Sequence, residues 1–234
     1  MNYMKVLLGD PRHTTVGAHS YFIPIGIGYI AANILEQFKK DKVEVKLSTD
    51  PKEIFDLLEN WKPDIIGISN YIWNSYLSNL ICDYAKKINP NTLCILGGPE
   101  FPAGTGQRRI ENNFKDKTYD KSLQYLIERP SVDYFVWTDG EPTFIEIIKY
   151  FKENNFSVKK MKDKDEPIVG CASLSKDKKK LNIGSYVTRI GMDGSVKAQG
   201  RDVIPSPYTT GLLDKFLDGT FVPAFETARG CPFY

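Results

Sequence analysis

The stretch Pro63-Asp64-Ile65-Ile66-Gly67-Ile68-Ser69 is apolar along nearly its whole length and lies between two amphipathic segments. A short apolar run of this kind predicts a β-strand that is buried on both sides, as in a parallel sheet. The flanking segments, 51–61 and 73–88, place apolar residues at helical spacing and predict α-helices. This part of the chain therefore predicts a helix-strand-helix unit of an α/β fold.

The same alternation of apolar strand and amphipathic helix continues on both sides of this unit. The further elements predicted before residue 154 are strands at 4–9, 43–47, 92–96 and 133–137 and helices at 25–39 and 141–151. Strands that are apolar throughout, separated by helices, are typical of a parallel sheet covered by helices on both faces. We therefore predict a doubly wound α/β domain, flavodoxin-like or Rossmann-like, over residues 1–153.

The rest of the chain departs from this rhythm. Residues 101–130 are polar and contain a helical pattern at 119–129, which predicts an insertion that covers the sheet edge. Beyond residue 153 the expected elements are a strand at 167–174, a hairpin of 183–190 and 194–199, lysine-rich turns at 159–164 and 176–180, an extended linker at 204–207 and a strand at 220–227. They predict a small strand and hairpin extension over 154–203 and, over 204–234, a linker with the first strand of a second domain.

Composition narrows the class of protein. The 234 residues are 41% hydrophobic and 26% charged, enough for one full core and a smaller region, and no apolar run is long enough to span a membrane. The net charge of +2 comes from interspersed signs, which argues against a nucleic-acid partner. Four scattered cysteines favour a reducing compartment, so we expect a cytoplasmic protein with Cys82, Cys94 and Cys171 in its core. The sequence does not indicate an oligomeric state.

In an open parallel sheet the ligand crevice lies beyond the carboxyl ends of the strands, where strand order reverses. Three loops are expected to meet there: the long loop 10–24 after the first strand, Ser69-Asn70-Tyr71 after the third and Gly97-Gly98-Pro99 after the fourth. Glycines at such a point let the backbone approach a bulky ligand, although a simple turn needs the same residues. The first loop also holds His13, for which a surface position and a binding role both stay open.

Two other features have both a structural and a functional interpretation. Gly140-Glu141-Pro142 begins the last helix of the α/β domain, and an acidic residue followed by proline suits a helix start as well as a ligand site. Cys231 stands in the sequence Arg229-Gly230-Cys231-Pro232-Phe233, just after the strand expected at 220–227. Iron-sulfur ligands cluster in such loops, but one thiolate cannot hold a cluster, and a small structural residue is the alternative.

The ordered set of motifs resembles the cobalamin-binding domain of B12-dependent radical SAM proteins. The similar motifs are the loop around Asp10, Pro24-x-Gly26-x-Gly28-Tyr29, the stretch 63–69, Gly97-Gly98-Pro99 and Gly140-Glu141-x-Thr143-Phe144. The segment Ile204-Pro205-Ser206-Pro207-Tyr208 and the terminal Arg-Gly-Cys-Pro-Phe are similar to the linker and the cluster loop of that family. The resemblance covers nearly every predicted element, in the same order.

That resemblance implies a cobalamin lying over the strand ends. The nucleotide tail would lie near Ser69 and Gly97-Gly98, and the first loop would face the lower side of the corrin. The residues assigned to the cofactor are Asp10, Arg12, His13, Thr14, Gly17, Ser69, Asn70, Tyr71, Gly97, Gly98, Pro99, Gly140 and Glu141. The spacing Asp-x-x-His-x-x-x-Gly differs from the Asp-x-His-x-x-Gly motif of other B12 proteins. His13 is therefore only a secondary candidate for a cobalt ligand.

The resemblance also implies the chemistry of a longer protein. Cys231 would be the first of three thiolates that bind a [4Fe-4S] cluster, whose open iron takes S-adenosylmethionine. Because the chain ends before the other two cysteines, we expect the cluster, S-adenosylmethionine and most of the radical SAM barrel only in the intact protein. In that family methylcobalamin usually relays a methyl group to an unactivated carbon or phosphorus. This chain alone is not expected to be catalytically competent.

The alternative is a flavodoxin-like module that binds a flavin or another nucleotide without catalysis. Such a module has the same strand order and crevice, but Asp10-Pro11-Arg12 suits its phosphate loop poorly. A response-regulator receiver needs acidic residues at the ends of its first and third strands, and here the third strand ends in Ser69-Asn70. The Gly-x-Gly-x-x-Gly fingerprint of dinucleotide-binding sheets is absent after the first strand.

Overall fold

The computed structural model describes residues 3–13, 22–102, 117–187 and 204–226. Its centre is a seven-stranded sheet in the order β2-β1-β3-β4-β5-β6-β7. The strands are β1 (Met4–Gly9), β2 (Val43–Ser48), β3 (Ile65–Ser69), β4 (Leu93–Gly97), β5 (Tyr134–Val136), β6 (Cys171–Leu174) and β7 (Leu181–Ile183). The first five are parallel, and β6 and β7 extend the sheet in the antiparallel sense. The predicted doubly wound α/β fold is confirmed.

Helices cover both faces of this sheet. In the described part of the chain they are α1 (Ile25–Gln37), α2 (Pro51–Asn60), α3 (Ser75–Ile88), α4 (Lys117–Ile127), α5 (Gly140–Glu153), α6 (Val158–Lys164) and a short 3-10 helix (Asp214–Phe216). Helices α1, α5 and α6 contribute to one apolar cluster, and α2, α3 and α4 contribute to a second on the opposite face. The sheet is therefore buried on both sides, as its apolar strands require.

Strand β3 illustrates why these residues form this architecture. Its three isoleucines, Ile65, Ile66 and Ile68, are at most 2% exposed, because one side packs under α5 and the other under α2 and α3. A Cβ on Gly67 would lie 2.4 Å from Cζ of Phe144, so glycine lets the ring of α5 approach the strand closely. The last residues of β3, Gly67, Ile68 and Ser69, also line a cleft at the end of the sheet.

The lysine-rich run at 159–164 differs from its prediction as a solvated turn, because it forms most of helix α6. The Ser157 side chain accepts a hydrogen bond from the Lys160 amide at 3.3 Å and caps the helix. Val158 and Met161, three residues apart, are buried in the core. Apolar residues three positions apart lie on the same face of a helix, so this pair indicates a helix even though most residues around it are lysines.

The hairpin lies earlier in the chain than predicted. Strand β6 pairs with β7, with Ala172 opposite Ile183 and Leu174 opposite Leu181, around the lysine-rich turn at 176–180. The strand predicted at 183–190 is described only as far as residue 187. Of this part, Ile183 is the last residue of β7, and residues 184–187 are not in a strand. The turn predicted around 192–194 and the strand at 194–199 lie outside the described residues. The first strand of the observed hairpin, β6, lies within the strand predicted at 167–174.

Helix α4 corrects the interpretation of 101–130 as a cover for the sheet edge. In its described part this segment is the crossover between β4 and β5, and Tyr125 and Leu126 of α4 are buried in the cluster on one sheet face. The Tyr125 ring packs edge-on against Phe101 and Phe135, at centroid distances of 5.4 and 5.8 Å. The helix therefore covers a face of the sheet, as the other crossover helices do.

Residues 204–226 form turns and the 3-10 helix rather than an extended linker followed by a strand. Leu213 and Phe216 are buried in the apolar cluster that contains α1. In the described part of the strand predicted at 220–227, Val222 forms one isolated parallel bridge with Phe22. The predicted core cysteines, Cys82, Cys94 and Cys171, are buried as expected. Across the described ranges, no helix combines the length and the apolar character needed to cross a membrane.

Candidate functional site

The strand order places a cleft at the carboxyl edge of the sheet. Because β1 lies between β2 and β3, the chain leaves β1 toward one side and leaves β3 toward the other, and this reversal opens a crevice between their ends. A cleft of about 580 Å³ lies there. Its lining includes Leu8, Asp10, Arg12, Phe22, Ile23, Pro24, Ile25, Gly26, Ile27, Ile30, Gly67, Ile68, Ser69, Tyr71, Trp73, Ile95, Gly97, Gly98, Val136, Thr138, Asp139, Gly140, Glu141 and Phe144.

Asp10 and Ser69 join the two strands that flank the reversal. The Ser69 hydroxyl at the end of β3 donates to Oδ1 of Asp10, just after β1, at 2.5 Å. The other carboxylate oxygen of Asp10 accepts from Nη2 of Arg12 at 2.8 Å. The Arg12 and Asp10 side chains are 11% and 20% exposed, so this ion pair is screened less than a surface pair. The guanidinium also donates to the Phe22 carbonyl, which fixes both ends of the first loop.

Asn74 holds the first and third loops together. It precedes α3, and its side chain bonds to loop groups rather than capping that helix. Its Oδ1 accepts from the Tyr71 amide at 2.8 Å, and its Nδ2 donates to the Pro11 carbonyl at 3.1 Å. Because Asn74 is 1% exposed, these bonds form away from water and set the spacing of the two loops. Nothing in the sequence patterns indicated this role.

The Gly97-Gly98 turn brings the fourth loop against the third. Gly98 has φ +141°, and a Cβ at this position would lie 2.3 Å from the Asn70 carbonyl oxygen. The Asn70 amide donates to the Gly97 carbonyl at 2.7 Å, and its side-chain Oδ1 accepts from the Tyr125 hydroxyl at 2.7 Å. The two glycines line the cleft, whereas Asn70 is fully buried behind them, and Pro99 follows outside the lining. Asn70 thus supports the turn from within.

Gly140 and Glu141 form the opposite wall, where α5 begins. Glu141 is 4% exposed, and its carbonyl accepts from Nδ2 of Asn33 on α1 at 2.7 Å. Beside them the hydroxyls of Thr138 and Thr143 lie 3.0 Å apart, and the Thr143 hydroxyl donates to the Asp139 carbonyl at 2.7 Å. The sequence motif therefore acts as a helix start and also contributes polar groups to the cleft.

Tyr71 and Trp73 provide an aromatic surface at the cleft. Their rings stack at a centroid distance of 4.6 Å and an angle of 6°, and Trp73 is 58% exposed. Burial raises the pKa of the Tyr71 phenol, the Asp10 carboxylate adds to this and Arg12 opposes it, so the phenol remains protonated at neutral pH. Tyr71 is a predicted site residue, whereas Trp73, four residues beyond the end of β3, was not predicted, although an aromatic residue in a loop at the strand ends was a signal for it.

The remaining predicted residues lie elsewhere. His13 is exposed, its Nε2 contacts the Trp73 carbonyl, and it is not part of the cleft lining. Thr14, Gly17 and Cys231 lie outside the described residues. Within the ranges that the structure describes, no group of three or more His, Cys, Asp or Glu side chains could hold a metal ion. The proposed roles of His13 and Cys231 therefore stay predictions.

A doubly wound sheet with an apolar cleft at its switch point defines a ligand-binding α/β domain. Residues 14–111 of this chain match the family model of the B12 binding domain. The matched range contains β2, β3 and β4 with the loops that follow them. The predicted resemblance to a cobalamin-binding domain is thereby confirmed for this part of the chain.

Three relatives are similar to this chain. An uncharacterized methyltransferase of Pyrococcus horikoshii is 27% identical over 243 aligned positions, covering all of this chain and 44% of the relative. The cobalamin-dependent radical SAM methyltransferase TokK of Streptomyces tokunonensis is 24% identical over 74% of this chain and 21% of its own length. A 2-(S-pantetheinyl)-carbapenam-3-carboxylate methyltransferase of Streptantibioticus cattleyicolor is 22% identical over 73% of this chain and 21% of its own length. The chain therefore spans less than half the length of these relatives.

Proposed function

We propose that this chain binds cobalamin in the cleft at the end of the sheet, with the nucleotide tail between the β1, β3 and β4 loops. The observation that carries the proposal is the position of that cleft, at the switch point of a sheet whose residues 14–111 match the B12 binding domain. The cofactor-binding roles of individual residues are part of the proposal.

The chemistry of the cleft lining suits such a tail. Ile23, Ile25 and Ile27 provide apolar surface for a flat nucleotide base, whereas Ser69 and Thr138 provide hydroxyl groups for the polar parts of the tail. Exposed backbone at Gly26, where a Cβ would meet nothing within 4 Å, leaves room beside the first turn of α1. An apolar slot with a few polar groups is the pattern expected for a large amphipathic cofactor.

The Tyr71–Trp73 stack suits the corrin ring. A stacked aromatic pair at the cleft presents a flat apolar surface, and Trp73 keeps more than half of its side chain exposed, which leaves it available to a ligand. The corrin supplies four nitrogens to its own cobalt, so the protein need not provide a metal cluster. In the proposed arrangement the chain binds and orients the cofactor and shields one of its sides from water.

We further propose that the intact protein is a radical SAM methyltransferase. Methyltransferase appears in the names of the three relatives, and one is named as cobalamin-dependent and radical SAM. Cys231 would then be the first ligand of a [4Fe-4S] cluster that binds S-adenosylmethionine in the radical SAM barrel of the intact protein. Bound methylcobalamin would supply the transferable methyl group.

Three buried cysteines without disulfide bonds fit a reducing compartment, and we propose that the protein is located in the cytoplasm.

The test is retention of a corrinoid by the purified chain. After incubation with hydroxocobalamin, the protein peak from gel filtration should carry the visible absorbance of the corrinoid. A parallel incubation with flavin mononucleotide tests the flavodoxin-like alternative, whose strand order is the same. A colourless protein peak in the first experiment overturns the proposal, and a yellow peak in the second favours the alternative.

A further inference from the structure

Residues 204–226 pack tightly on the domain although they lie far from it in sequence. Leu213 is fully buried and Phe216 is 3% exposed, both within the apolar cluster of α1. A Cβ on Gly28 of α1 would lie 3.1 Å from both Leu213 Cδ2 and Pro207 Cβ, so the glycine lets this segment approach the helix. A linker between independent domains makes few such contacts. We call residues 204–226 the docking segment.

The docking segment is also bound to the loops that form the cleft. The Ile23 amide donates to the Val222 carbonyl at 3.0 Å, beside the bridge between Phe22 and Val222. At the other side of the segment, Nζ of Lys215 lies 3.0 and 3.1 Å from the two carboxylate oxygens of Glu53. Phe22 and Ile23 both line the cleft, so the segment contacts the cleft wall directly.

Arg12 connects the cleft to the docking segment. Its guanidinium pairs with Asp10 at the bottom of the first loop, donates to the Phe22 carbonyl and lies over the ring of Phe221, with 5.3 Å between Cζ and the ring centroid. The Phe221 ring in turn packs edge-on against Phe216 at 5.6 Å. An uninterrupted set of contacts thus runs from the cleft floor to the buried anchor of the docking segment.

We infer that Arg12 is a positioning residue that couples the cleft to the docking segment, and that this segment supports the wall of the cofactor site from outside the cleft. The inference rests on the proposed binding of cobalamin. A ligand seated against Asp10 and Arg12 restricts the guanidinium and thereby the Phe221 ring. Because coupling between two sites is reciprocal, docking of the segment strengthens ligand binding by the same factor.

Phe221 offers the sharpest test, because it lies outside the cleft lining. Phe221→Ala removes the ring, and Phe221→Leu keeps apolar volume against Phe216 but offers no aromatic face to Arg12. Phe225→Ala is the matched control, since Phe225 belongs to the same segment, is 74% exposed and stacks on Tyr208 instead. For each full chain, the affinity for hydroxocobalamin is measured by absorbance titration. Hydrogen exchange of peptides from 22–30 and 204–226 is measured with and without the ligand.

In the wild-type chain, hydroxocobalamin should slow exchange in the docking segment and at Ile23. Both Phe221 variants should bind about threefold to tenfold more weakly and lose that ligand-dependent protection, as expected for loss of a cation–π contact. Phe225→Ala should bind within about twofold of wild type. If Phe221→Ala unfolds, Phe221→Leu, verified by its urea midpoint, decides the question.

The outcomes separate this inference from the proposed function. Wild-type protein that binds no hydroxocobalamin overturns both. Wild-type protein that binds it without any change of exchange in residues 204–226 overturns the coupling alone. A Phe221→Leu chain with wild-type affinity and wild-type protection shows that the ring only fills space, and also overturns the coupling alone.

Discussion

The Ser69 hydroxyl donates to the Asp10 carboxylate at 2.5 Å, across the point where the sheet reverses its strand order. The two residues are 59 positions apart in the chain, and the parallel pairing of β1 with β3 brings them together, with Gly9 opposite Ile68. The site is therefore built on the register of the sheet rather than on a flexible loop. Because backbone pairing of β1 with β3 positions both residues, a side-chain substitution at Asp10 or Ser69 should alter their hydrogen bond without moving the backbone.

Asp10→Asn tests the electrostatic part of this arrangement. The amide keeps the shape of the carboxylate and can still accept from Ser69, but it loses the charge that pairs with the largely buried Arg12. We expect the free energy of unfolding to fall by about 1.5–3 kcal/mol, the range for hydrogen bonds to charged groups. Urea denaturation monitored by circular dichroism measures this change.

The exposed Lys39–Glu36 pair provides the control, since these side chains are 64% and 30% exposed. Glu36→Gln should change the free energy of unfolding by less than about 0.5 kcal/mol, because surface ion pairs contribute little. Equal effects of Glu36→Gln and Asp10→Asn would contradict the assignment of Asp10 and Arg12 as a protected pair.

Gly98→Ala tests the contact between the third and fourth loops. The added Cβ would lie 2.3 Å from the Asn70 carbonyl, and φ +141° is strained for alanine, so we expect a loss of about 2 kcal/mol or more of stability. Gly26→Ala is the matched control, because its Cβ meets no atom within 4 Å and the residue lies in the first turn of α1. That variant should be as stable as wild type or slightly more stable, as thermal unfolding will show.

The fold could be predicted from the sequence because its signals are local. Apolar runs such as 65–69 and helical periodicity such as that of 75–88 appear within single segments, and the structure has these elements within a few residues of the predicted bounds. Strand ends then indicate where the site lies, which is why Asp10, Ser69 and Gly98 are brought together as the crevice argument requires.

The parts that could not be predicted depend on contacts between distant segments. The sequence does not show that the Asn74 side chain bonds to Pro11 and Tyr71, nor that Phe221 packs under Arg12. The segment at 220–226 has an apolar pattern typical of a strand, but among the described residues it forms one bridge, between Val222 and Phe22, and no strand. Tertiary packing here overrides the local pattern.

The buried cysteines give a direct check of the two core clusters. Burial raises the pKa of the Cys171 and Cys94 thiols above the ordinary value, and both side chains are at most 1% exposed. In the native chain we expect neither residue to react with iodoacetamide during a period that labels both completely in urea. Peptide mass spectrometry distinguishes them from Cys231. Rapid native labelling of Cys171 would contradict the packing of β6 against β5.

Trp73→Ala tests whether the aromatic surface binds the corrin. Trp73 is 58% exposed and stacks on Tyr71, so its removal should cost less than about 1 kcal/mol of stability. If the ring contacts the cofactor, the affinity for hydroxocobalamin should fall about tenfold, which corresponds to about 1.4 kcal/mol.

Tyr76→Ala is the control. It removes an aromatic side chain that is 84% exposed but does not line the cleft, and it should leave the affinity unchanged. Because both residues are exposed aromatics close together in sequence, equal losses of affinity would mean that Trp73 acts through general surface hydrophobicity. An unchanged affinity in Trp73→Ala would place the corrin elsewhere along the cleft.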